Sequence, residues 1–264
     1  MIPRRAFLTL PLASLARAQD RARRVVDEAL AALGGERYLA MRDRVEAGRA
    51  YSFYREQLSG LARAKIYTRY LTRPDPPVAG FFGVRERQAF GKDEDAYVLL
   101  GESYGYDVTF RGARPIEPAV LERFKETTLR NILYILRMRL GEPGLAIESR
   151  GTDIVDNVPV ETVEIADAQN RMVTVFFHTS TKLPVRQETV RRDPRDNRPI
   201  EEVTLFAKYR DLGGGVMWPF QIQRQREGEK IFEIFSESVT INQGLTDNLF
   251  TLSSATKVLE KKKR

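Results

Sequence analysis

Apolar residues return every three or four positions between residues 20 and 33, with Val25, Val26, Ala29, Leu30 and Leu33 on one side. That spacing predicts an amphipathic helix, and Gly34 and Gly35 stop it. Residues 38–42 add a short turn. Beyond Val45 the period changes to two, predicting strands around 48–53, 62–70, 80–90 and 96–100. Strands resume around 146–149, 160–166, 172–179, 185–190 and 202–209, with a last segment near 239–241. Turn clusters at 74–77, 91–93, 167–170, 180–182 and 191–199 separate them. One helical stretch interrupts the series. Pro118 suits a first turn, and Gly141 followed by Pro143 ends a run over 118–140. In it Leu121, Phe124, Thr128, Leu129, Ile132, Leu133, Ile135 and Leu136 fill an arc of about 180°. So wide an apolar face suits a helix tucked into a concave surface as its lid or plug.

Residues 208–235, KYRDLGGGVMWPFQIQRQREGEKIFEIF, predict a hairpin. Gly228 tolerates positive φ, so a three-residue loop Arg226, Glu227, Gly228 closed by a glycine bulge is expected. That loop pairs Gln225 with Glu229, Ile222 with Phe232, and Phe220 with Ile234. The four apolar side chains then share one sheet face. Gln221, Gln223, Gln225 and Glu233 lie opposite, together with Ile231 and Phe235.

Consecutive strands with short turns imply an antiparallel meander rather than alternating α/β units. No repeat, low-complexity segment or linker divides residues 19–260, which are read as one domain of α+β class, mainly β. The apolar fraction of 42% fits a chain that buries a core.

The first twenty residues, MIPRRAFLTLPLASLARAQD, have the layout of an export signal. Arginines precede an apolar run too short to span a bilayer, and Ala16, Arg17, Ala18 form a small-x-small cleavage site. Arg4 and Arg5, followed by Ala6, Phe7 and Leu8, resemble a twin-arginine signal, although Pro3 stands where Ser or Thr is usual; the general secretory route is the alternative. Residues 1–18 are therefore expected to be removed, leaving a mature chain from Gln19 in the periplasm. With no cysteine, neither a lipid-acceptor thiol nor a disulfide framework is available.

The formal charge of +7 does not describe the domain. Arg4, Arg5 and Arg17 of the leader, with Lys261, Lys262, Lys263 and Arg264 of the basic tail, carry the whole excess. A neutral body argues against a nucleic-acid partner.

Catalytic chemistry is hard to assemble. His178 is the single histidine, so His/Cys metal sites and Cys–His catalysis are excluded. Gly213, Gly214 and Gly215 lack a following Lys-Ser/Thr and read as a turn. Asp193 to Asn197 lacks calcium-loop spacing. Glu161 and Glu164 fall on opposite faces of one strand, leaving no obvious acid–base pair. No catalytic residue, cofactor or metal ligand is expected.

Several short stretches together resemble the outer-membrane lipoprotein-sorting (LolA/LolB-like) superfamily, particularly its uncharacterised bacterial branch. They are ALGG at 32–35, FHTSTKLPVRQE at 177–188, Tyr209 to Asp211, WPFQI at 218–222, Ile241 with Asn242, and Leu249 with Phe250. The resemblance implies a curved antiparallel sheet, an open half-barrel, with helices packed on its concave side. It also implies a periplasmic carrier of a lipid or lipoprotein, sequestering acyl chains between sheet and helix. A membrane surface or an envelope protein would be further partners, and the chain would act as a monomer. Proteins of this shape also serve as envelope-stress sensors and glycolipid carriers. The alternative is accordingly a structural or sensory envelope protein whose cavity is filled by its own side chains. Joining this to the two amphipathic faces gives eight expected cavity residues: Leu121, Phe124, Ile132 and Leu136 on the helix, and Phe220, Ile222, Phe232 and Ile234 on the hairpin.

Overall fold

The computed structural model describes residues 12–193 and 195–260, with side chains from Gln19 onward. Most of the expected leader and the basic tail 261–264 lie outside the described residues. Helix α1 (Leu12–Ala32) runs on through the expected cleavage site after Ala18. Its apolar face, Ala22, Val25, Val26 and Ala29, is buried, and Gly34 and Gly35 follow with φ of 121° and 54°. A short helix, α2 (Glu36–Leu39), comes next.

Thirteen antiparallel strands then form one curved, open sheet with helices on its concave side. Strands β1 (Asp43–Tyr54), β2 (Gln57–Tyr70), β3 (Val84–Phe90), β4 (Ala96–Leu100), β5 (Gly105–Thr109) and β6 (Gly112–Pro115) step outward from the centre to one edge. Strands β7 (Ala146–Val155), β8 (Val158–Ala166), β9 (Met172–His178), β10 (Pro184–Arg192), β11 (Pro199–Asp211), β12 (Met217–Arg226) and β13 (Glu229–Ile241) start from the other edge and return to the centre. There β13 pairs with β1. The segment between β6 and β7 must therefore cross from one edge to the other. It holds the remaining helices, α3 (Pro118–Leu129) and α4 (Ile132–Tyr134), the latter continuing as a π-helical turn over Ile135–Arg139. Topology, more than propensity, lays this segment across the concavity.

The expected single helix over 118–140 is thus two. Asn131 takes an extended conformation (φ −73°, ψ 123°), and its side chain accepts from the amide of Leu133 at 2.9 Å. Gln187 of β10 accepts from the Ile132 amide at 2.8 Å. Asparagine caps a helix more readily than it continues one, and the partner on β10 fixes the break. The broad apolar arc belongs to two helices with different fates. From Ile132 to Arg139 every residue is buried, whereas in α3 only Leu129 is.

The hairpin register also differs from expectation. Glu227 and Gly228 both have positive φ, 51° and 79°, so they make the two-residue turn that pairs Arg226 with Glu229. A bulge then places Arg224 opposite Phe232 and Ile222 opposite Ile234. The extra residue, Ile231, restores the parity that the shorter loop would have inverted. Ile222, Phe232 and Ile234 keep a common face through pairings other than those expected. A valine at Gly228 still meets the left-handed conformation with a branched Cβ. Gly228→Val should cost roughly 1–2 kcal/mol, read as a lower urea midpoint with unchanged slope.

A second bulge curves the centre of the sheet. Register shifts between Ala47 and Gly48, where a Cβ on Gly48 would lie 2.2 Å from the carbonyl oxygen of Phe235. Only glycine allows so close a backbone approach. Around it the core forms from α1 and α4 against β8, β9 and β12, with Val26, Leu33, Ile132, Leu136, Phe177 and Trp218 among its members. His178 closes the β9–β10 turn, where Nδ1 accepts from the Ser180 amide at 3.1 Å. Asp211 does the same for the glycine turn, accepting from Gly213 and Gly215 at 2.8 and 3.0 Å.

Candidate functional site: a cavity under the crossover helix

Where α1 and α4 cover the sheet, side chains fill the space. Under α3 they do not. A cavity of about 670 Å³ lies between α3 and the concave face of β1 to β5, β12 and β13. The sheet pairing explains its floor. Ala50 stands beside Ile234 and Ile234 beside Ile222; Ala64 stands beside Phe90; Ile66 stands beside Gln88 and Gln88 beside Val98. Small residues at Ala50 and Ala64 leave the space that larger ones would occupy. The roof is Val120, Phe124, Thr127 and Thr128 of α3, and Phe124 packs edge-on to Phe82 at 5.8 Å between centroids.

Of the eight expected residues, Phe124, Ile222, Phe232 and Ile234 line this cavity together. Ile132, Leu136 and Phe220 are buried in the main core instead. Leu121 is half-buried on α3 away from the lining. The first two were displaced by the break at Asn131, which turns α4 toward α1.

Polar residues of the lining escape a reading based on apolar faces. Arg44 is 8% exposed, donates to the Thr68 hydroxyl at 3.0 Å, lies 3.7 Å from Glu46 and stacks 4.1 Å over the Trp218 ring. Glu46 accepts from the Ser236 hydroxyl. Glu86 accepts from Gln88 at 2.6 Å and from Thr68 at 3.4 Å. Burial pushes the Glu86 carboxyl up, against the opposing pull of Gln88 and Arg44. The indole N–H of Trp218 and Nε of Arg44 are buried without a hydrogen-bond partner. Arg224 is exposed and borders the cavity. Loss of bulk water pushes its guanidinium down, with Glu86 and Glu202 pulling the other way. The signal for these residues was parity. Arg224 lies two positions from Ile222 and so shares its face.

Among the described residues no group of three or more acidic or histidine side chains could hold a metal ion. No helix among them is long and apolar enough to cross a membrane.

Neither a protein-family model nor a curated protein matches the sequence. Three solved structures share the fold, each at 12% identity and each covered over 97% of its own length. A DUF1329 family protein from Desulfovibrio piger aligns over 87% of this chain with a TM-score of 0.57. A domain assigned to outer membrane lipoprotein sorting, from Vibrio parahaemolyticus, aligns over 88% with a TM-score of 0.53. A LolA superfamily protein from Nitrosomonas europaea aligns over 88% with a TM-score of 0.51. At that identity the likeness is one of fold, and the fold this chain shares with them is the open half-barrel of lipoprotein-sorting and LolA superfamily proteins.

Proposed function

We propose that this chain is an exported periplasmic carrier that shelters an acyl chain of a lipid between its curved sheet and α3. One observation carries the reading: a mainly apolar cavity of about 670 Å³ lies beneath a helix that commits only one fully buried side chain, Leu129, to the protein itself. An acyl chain entering that space gains about 0.8 kcal/mol per buried CH₂. The roof helix exchanges few protein contacts in admitting it. The sorting and LolA-type folds of two structural neighbours support the same reading. Roles in lipoprotein sorting proper, and contacts with a membrane or an envelope protein, would build on this binding step. No catalytic role is part of the proposal.

The test is lipid mass spectrometry on protein purified from the cell envelope without detergent. Bound acyl lipid is expected at close to one molecule per chain. Ala50→Trp, placed on the cavity floor, should abolish that lipid while leaving the thermal midpoint unchanged or raised. Lipid-free wild-type protein, indifferent to the tryptophan, would favour the structural or sensory envelope protein instead.

A further inference from the structure

Charge is unevenly spread around the cavity. At the end where β11 and β12 meet α3, Glu202 receives Arg123 at 2.9 Å, Arg191 at 3.0 Å and Arg226 at 3.3 Å, all on one oxygen. Arg224 lies within electrostatic reach of Glu86, Glu202 and Arg123, yet among the described residues its guanidinium makes no hydrogen bond and no ion pair. It lies over the Phe232 ring, 5.8 Å from the centroid. Three guanidinium groups share the Glu202 carboxylate, Arg224 adds a fourth cation nearby, and Arg123 and Arg224 line the cavity. A guanidinium on the cavity wall with no direct hydrogen-bond partner is open to an entering anion, which would supply charge-assisted hydrogen bonds. Elsewhere in and beside the lining Arg44, Thr68, Glu46, Glu86, Gln88 and Ser236 bond to one another, with Nε of Arg44 left unpartnered.

Size limits the occupant as well. At the ~30 Å³ a water takes in the liquid, 670 Å³ holds roughly twenty atoms of methylene or water size. That is room for one acyl chain and its head.

We propose that the cavity takes a single-chain amphiphile with an anionic oxygen head, carboxylate or phosphate, whose head sits on Arg224 and Arg123 while its chain covers Ile222, Ile234 and Ile66. The proposal rests on the carrier reading and narrows its ligand. It predicts selection by head charge, which chain burial alone does not give.

Trp218, the only tryptophan, lines the same cavity and reports occupancy. Its emission is followed while the mature protein is titrated with palmitate, hexadecyl phosphate, hexadecanol and inorganic phosphate. Palmitate or hexadecyl phosphate should bind at least roughly tenfold tighter than hexadecanol, as a charge-assisted hydrogen bond predicts. The tighter of the two identifies the head. Arg224→Gln should erase that preference, while Arg224→Lys retains most of it. Hexadecanol binding as tightly as both anions, or a preference that survives Arg224→Gln combined with Arg123→Gln, would overturn the head-group assignment alone. Inorganic phosphate matching hexadecyl phosphate would show a free-anion site that ignores the chain. Failure of all four ligands would take the carrier reading down with it.

Discussion

Arg139→Ala should destabilise the protein by about 3–5 kcal/mol, the cost of breaking a buried ion pair by removing one partner. Its guanidinium donates to Glu142 at 2.6 and 2.8 Å, to Asp167 at 2.7 Å and to the Leu129 carbonyl, with side chains of Arg139, Glu142 and Asp167 only 1–3% exposed. Asp167 also accepts from the Arg171 guanidinium at 2.6 Å and amide at 2.9 Å. Removing Arg139 takes from Glu142 its cation, from Asp167 one of two, and from the Leu129 carbonyl at the end of α3 its donor. Urea unfolding at neutral pH reads the loss, and a cost below about 1 kcal/mol would show that the network is no more than a surface pair. The same carboxylate sets an acid limb. Burial tends to raise the Asp167 carboxyl, but the hydrogen bonds from Arg139 and Arg171 overcome it and hold it down at about 2, against an ordinary 3.8. A folded pKa below the unfolded one stabilises fully above the unfolded value and is lost as pH falls through the folded one. The contribution of Asp167 should therefore be intact above pH about 4 and fade between 4 and 2. In Arg139→Ala, which loses one of those donors, that limb should move to higher pH.

Much of this architecture is legible from alternation and spacing, and what is not depends on residues far away in the chain. The helix ending at Gly34 and most strands follow from local period. Strands β5 and β6 were not read, because GYDVT and GARP are too short and glycine-bearing to show a period. The bulge at Ile231 cannot be seen in the hairpin. It reconciles a two-residue turn with the pairing of β13 to β1, which sets Phe235 opposite Arg49 and Ile234 opposite Ala50. The break at Asn131 needs Gln187, and a helical wheel has no place for it. The charged lining was hidden for a related reason. In an alternating strand a charged residue is read as facing open solvent, and Glu86 and Arg224 face the cavity.

Hydrogen exchange should divide the crossover segment at Asn131. Amides of the π-helical turn sit among fully buried side chains, and the Tyr38 hydroxyl adds a 2.6 Å bond to the Leu133 carbonyl. They should exchange only through global unfolding, as the central strands do. Helix α3 is tied mainly at its C-terminal end. There Arg139 holds Leu129, and Glu126 pairs with Arg130 at 2.7 Å and with Arg171 at 3.3 Å. Nearer its start, the Arg123 to Glu202 pair is part-exposed and should be worth no more than about 1 kcal/mol. The amides of α3 beyond its first turn should therefore exchange at least about a hundredfold faster than those of Leu136 to Arg139, since 2.7 kcal/mol of local opening is enough for that ratio. Added palmitate should slow α3 and leave the π-helical turn unchanged, because only the former gains contacts from an occupied cavity. Protection of α3 equal to that of the strands, and unmoved by palmitate, hexadecyl phosphate or hexadecanol, would make it a fixed wall.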